Sequence, residues 1–78
     1  MHPDDAGIRN NLGLVLMNKG NLVGAEKEFE EALRYDPHLA PALSNLGLVL
    51  NRQGRTNEAK AFYERAAKLE NNQAPQPQ

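Results

Sequence analysis

Asn11-Leu12-Gly13-Leu14-Val15-Leu16 returns 34 residues later as Asn45-Leu46-Gly47-Leu48-Val49-Leu50. The same shift lays Gly20 on Gly54, Ala25 on Ala59, Glu30 on Glu64 and Ala32 on Ala66. It also pairs Phe29 with Tyr63, one aromatic with another. A fixed period of this length marks a stacked repeat array. In such arrays each unit buries its apolar face only against a neighbour, so architecture follows from the repeat and function lies on the surfaces.

Outward from that stretch, the pattern predicts four helices. Asp4-Asp5 places carboxylates at a helix start, where they complement the dipole. Ile8, Leu12, Val15 and Leu16 then recur at helical spacing. Gly20 is the residue best able to take the left-handed cap that ends this helix. Asn21 is the N-cap of a second helix carrying Leu22, Ala25, Phe29, Ala32, Leu33 and Tyr35 inward. Its charged residues between Glu26 and Glu31 read as a wet face, with Lys27–Glu31 and Glu30–Arg34 pairs at i, i+4. Asp36-Pro37 stops it. Pro41 opens a third helix, in the one turn where proline is harmless, and Gly54 ends that helix near Arg52. Thr56 or Asn57 caps a fourth, whose buried stripe is Ala59, Phe62, Tyr63, Ala66 and Leu69, and Asn71-Asn72 closes it.

The expected class is therefore all-α, an α-solenoid of two antiparallel helix-turn-helix hairpins. The expected layout is a leader at 1–5, repeats at 6–39 and 40–73, and a disordered Pro/Gln tail at 74–78. Gly13 and Gly47 let the two helices of each hairpin approach, Ala25 and Ala59 provide the matching gap, and Phe29 and Tyr63 fill the space beside it. A β-branched residue at Gly13 or Ala25 should hold the helices apart.

Composition narrows the function. The chain has 78 residues, no cysteine and a formal net charge of -1. So short a chain has a marginal core, and no disulfide or thiolate metal site can support it. Nucleic-acid binders usually carry a basic excess or stripe. Here the first helices of the repeats hold only Arg9, Lys19 and Arg52 as cations. No stretch approaches the roughly 20 apolar residues that span a bilayer, and no basic signal-peptide region opens the sequence. A cytoplasmic location, with no direct membrane insertion, fits these features. His2 and His38 are isolated surface histidines with no metal-ligand spacing. Neither a nucleophile–base constellation nor a phosphate loop is readable. The expectation is a non-enzyme without cofactor or metal.

Leu12, Gly13, Gly20, Ala25, Phe29, Ala32 and Pro37, repeated as Leu46, Gly47, Gly54, Ala59, Tyr63 and Ala66, resemble the tetratricopeptide repeat, a 34-residue helix–turn–helix unit. Arg9 and Leu43 stand where that family often has tryptophan, Asn71 where it has proline, and Arg55 where a capping aspartate is common. The resemblance implies right-handed superhelical stacking. It also implies a scaffold that binds a peptide or helix of a partner protein in a concave groove lined by the first helix of each repeat. On this chain the lining would be Asn10, Leu14, Met17 and Asn18, then Ser44, Leu48, Asn51 and Arg52, with Asn11 and Asn45 at the edge. Asparagine amides both donate to and accept from a peptide backbone. Paired lysines and asparagines grip a C-terminal carboxylate in some members, and of that pattern only Asn45 has a counterpart.

Self-association is the remaining expectation. Stacked arrays generally need about three repeats. If Val15, Leu16, Phe29 and Tyr35 pack the first repeat on the second, then Val49, Leu50, Tyr63 and Leu69, with Phe62, form an uncovered apolar end-face. Such a patch marks an interaction site: either the chain is a fragment whose next repeat is missing, or it buries that face against a second copy, and the expectation for the isolated chain is a homo-oligomer.

Overall fold

The computed structural model describes residues 5–73, folded as α1 (Ala6–Asn18), α2 (Leu22–Tyr35), α3 (Ala40–Arg52) and α4 (Thr56–Gln73). The expected tail at 74–78, and all of the leader before Asp5, lie outside the described residues. Helix α1 packs on α2 and α3 on α4, and contacts of α2 and, more lightly, α1 with α3 join the two hairpins.

Local chemistry sets the helix ends. Asp5 Oδ1 accepts from the Gly7 amide at 2.7 Å, and Asn21 Oδ1 accepts from the Gly24 amide at 2.9 Å. Both hairpins turn at a left-handed glycine, Gly20 at φ +85° and Gly54 at φ +82°. Around Gly20, its amide donates to the Met17 carbonyl and the Asn21 amide to the Leu16 carbonyl. The same pair of bonds recurs around Gly54, from Gly54 to Asn51 and from Arg55 to Leu50. This satisfies carbonyls that a helix end leaves orphaned. At the fourth helix the expectation needs correction. It begins at Thr56 and runs through Asn71-Asn72 to Gln73, because asparagine there, with no glycine or proline beside it, does not break a helix already propagating.

The core lies between the hairpins: Met17, Ala25, Phe29, Leu46, Val49, Leu50 and Ala59 form one buried cluster. Gly13 is buried against the Phe29 ring and Gly47 against Tyr63, the close approach that the glycine–aromatic register predicts. Burial is nevertheless unequal between equivalent positions. Leu46 and Val49 are 2% and 0% exposed, whereas Leu12 and Val15 are 42% and 49% exposed. Phe29 is 0% exposed against 39% for Tyr63. Helix α3 is the inner helix, covered by the first hairpin, and nothing among the described residues covers α1 in the same way.

Candidate partner-binding surfaces

Two polar straps tie the hairpins together. On one side, Asn45 Nδ2 donates to Asn10 Oδ1 at 2.9 Å, joining α3 to α1. On the other, Glu26 Oε1 of α2 accepts from Gln53 Nε2 at 2.9 Å and from Arg55 at 3.0 Å. Arg55 also forks onto Glu58, with Nε at 2.8 Å and Nη2 at 2.9 Å. Within the first hairpin, Arg9 of α1 reaches Glu28 of α2 at 3.1 Å. Arg9 thus closes by an ion pair a position where the resemblance leads one to expect an aromatic.

These contacts revise the reading of α2. Glu26 and Glu28 do not belong to a wet face; their side chains are only 14% and 21% exposed, and each is paired. Arg34 forms its ion pair with Glu31 at i, i+3, at 3.1 Å, instead of the expected Glu30. Partial burial and the nearby Glu26 carboxylate push the Glu30 pKa up.

The Glu58 carboxyl is held below the usual carboxylate range by its hydrogen bonds with Arg55. A folded pKa below the unfolded one contributes stability that is present above the unfolded pKa and lost as pH falls through the folded one. Glu58→Gln should therefore flatten the fall in thermal midpoint between about pH 5 and about pH 3, a span that starts just above the unperturbed Glu value and runs below it. Melting both proteins by circular dichroism at the two pH values checks this; identical slopes would remove Glu58 from the acid response. Glu30 acts with the opposite sign, since protonation relieves its raised pKa.

The candidate groove residues divide. Asn10 is buried and committed to Asn45, and Met17, at 5% exposure, is part of the core. Those two therefore do not present a free lining. The reason is that α1 and α3 meet along this edge, so residues facing it are consumed by the contact. Leu14 and Leu48 are half-buried against the core, and Ser44 and Asn45 are half-buried. Asn11, Asn18, Asn51 and Arg52 are exposed.

The candidate end-face divides as well. Val49 and Leu50 are 0% and 2% exposed and lie inside the molecule, so the expected uncovered face does not include them. Val15 and Tyr35, expected to pack the first repeat on the second, are instead 49% and 40% exposed. Phe62 is half-buried beneath the Arg65 guanidinium, 5.4 Å from the ring centre. Leu69 is half-buried beside an open cavity of about 200 Å³ that it lines with Pro37, His38, Leu43, Arg65 and Lys68. Tyr63 alone of the five is exposed. What sequence reasoning missed is the stripe at the other end: Ile8, Leu12 and Val15, 42–49% exposed along α1.

Among the described residues no group of three or more His, Cys, Asp or Glu side chains is placed to hold a metal ion. Likewise, no described helix is long and apolar enough to cross a membrane.

Comparison with known proteins agrees with this architecture. The solved structure of a point mutant of MamA superposes with a TM-score of 0.82 at 27% sequence identity, over 86% of this chain and 49% of that one. The chain thus spans about half the length of that protein. A search of curated proteins gives no significant match. The family model described as tetratricopeptide repeat matches residues 4–72, and with both hairpins built on the glycine–aromatic register, the chain belongs to the tetratricopeptide repeat family.

Proposed function

We propose that the chain is a non-catalytic interaction module that holds an extended peptide or helix of a partner protein across the first helices of its two repeats. Tetratricopeptide repeats generally mediate protein–protein contact. The observation that carries the reading is the exposed set Asn18, Asn51 and Arg52, beside the half-buried Leu14 and Leu48, on α1 and α3. The amides offer both donors and acceptors to a peptide backbone, and the leucines offer an apolar strip.

Asn45 is unsuited to testing this reading, because its replacement would also release Asn10. Asn18→Ala combined with Asn51→Ala removes two exposed amides and leaves both polar straps between the hairpins intact. The double variant should retain partners several-fold less well in a pulldown, with helical circular dichroism and thermal midpoint unchanged. Undiminished capture of every partner would overturn the assignment. Single-stranded RNA is the competing ligand, and a low-salt fluorescence-anisotropy titration tests it directly. Saturable, salt-sensitive binding would displace the protein-partner reading.

A further inference from the structure

We propose that the outer stripe of α1 is a self-complementary interface, on which α1 of a second copy packs antiparallel. Asp5, Ile8, Leu12, Val15 and Lys19 follow one another at alternating spacings of three and four, so they lie along one side of the helix. The three apolar members are 47%, 42% and 49% exposed, and the charged members at the two ends are exposed. In the second repeat the equivalent Ala42, Leu46 and Val49 are 0%, 2% and 0% exposed. The molecule therefore shows what this stripe does when a helical surface is available: it is covered completely.

The second copy has two ways to cover it. Head-to-tail stacking would repeat the junction between the hairpins, but the C-terminal end lacks the matching residues. Asn51 and Thr56 stand where the covering hairpin has Met17 and Leu22, and Lys60 stands where it has Glu26. Glu26 accepts from Gln53, whose equivalent on the first repeat is Lys19. A head-to-tail contact would thus replace a carboxylate–amide hydrogen bond by two opposed ammonium groups.

The antiparallel arrangement has no such conflict. With a two-fold axis passing by Leu12, Leu12 meets its own copy, Ile8 of each helix lies against Val15 of the other, and Asp5 meets Lys19 at both ends. Capping of α1 uses only Oδ1 of Asp5, so its carboxylate can also take the lysine ammonium. The opposed helix dipoles add a small favourable contribution. Thirteen residues of helix extend only about 20 Å, so the contact falls below the standard interface size and the dissociation constant should be micromolar.

The chain has no cysteine, so a single introduced thiol reports the geometry. Leu12→Cys lies on the axis, within reach of its copy for a disulfide. Under mild oxidation at tens of micromolar it should be converted largely to covalent dimer, while Tyr63→Cys alone should not. Light scattering of the unmodified chain should show mass rising from monomer to dimer with concentration. Leu12→Glu should hold it monomeric without loss of helical circular dichroism, and Lys19→Glu should weaken the dimer several-fold. Two results would overturn the proposal. One is a constant monomer mass through high micromolar concentration. The other is efficient crosslinking of mixed Val15→Cys and Tyr63→Cys chains, the signature of head-to-tail stacking. Neither result bears on the Asn18 and Asn51 surface, so this interface and the peptide groove stand or fall separately.

Discussion

Gly13→Val should destabilise the chain by about 3 kcal/mol or more, while the same change at Gly47 should cost roughly 1–2 kcal/mol less. A Cβ at Gly13 would lie 2.7 Å from Cδ1 and 2.9 Å from Cζ of Phe29, inside carbon–carbon contact. That ring is fully buried and has nowhere to go without parting α1 from α2. At Gly47 the corresponding atoms belong to Tyr63, at 2.8–3.1 Å. Tyr63 is 39% exposed and can swing outward at the open end of the stack. A chain of this size has about 4–12 kcal/mol of stability in all, so the Gly13 variant should lose a large share of it and unfold at a markedly lower urea concentration. Urea titrations followed by far-ultraviolet circular dichroism measure both losses. Equal losses would mean that Phe29 yields as easily as Tyr63, and that the first hairpin is not the more tightly held one.

The two glycines also show how far the sequence alone can be read. Their register with the aromatics is local to each hairpin, so a single 34-residue shift reveals it, and the caps at Asp5 and Asn21 are visible for the same reason. Contacts between hairpins are a different matter. Asn10 meets Asn45 across 35 residues, one more than the repeat, so no comparison of equivalent positions points to it. Glu26 joins Gln53 and Arg55, yet the second repeat has Lys60 where the first has Glu26. The charge pattern alone therefore reads as solvated surface. Above all, a repeat looks the same from both ends. The pattern marks Val15 and Val49 as equally apolar but does not say which one a neighbour covers; only the direction of stacking decides that. Hence the apolar face expected beyond the second repeat is found instead on α1, before the first.

That asymmetry predicts unequal cost for one chemical change at two equivalent positions. Leu46→Ala should cost about 2–5 kcal/mol and Leu12→Ala about 1 kcal/mol or less. The two leucines occupy the same place in the repeat and each precedes the close-packed glycine, so helix propensity changes equally in both variants. They differ in burial: Leu46 is 2% exposed at the junction of the hairpins, and Leu12 is 42% exposed. Truncation at Leu46 leaves a cavity beside Phe29, Val49 and Leu50, members of the cluster that holds the repeats together, and helices packed this tightly collapse around a void only in part. Truncation at Leu12 removes atoms already half in water. The comparison belongs at low micromolar concentration, where self-association through α1 contributes little. Raising the concentration should then penalise Leu12→Ala selectively, because the dimer it disrupts adds to the stability of the unmodified chain. If the two variants lost equal stability when dilute, the first hairpin would not be covering α3 in solution, and the junction between repeats would have to be redrawn.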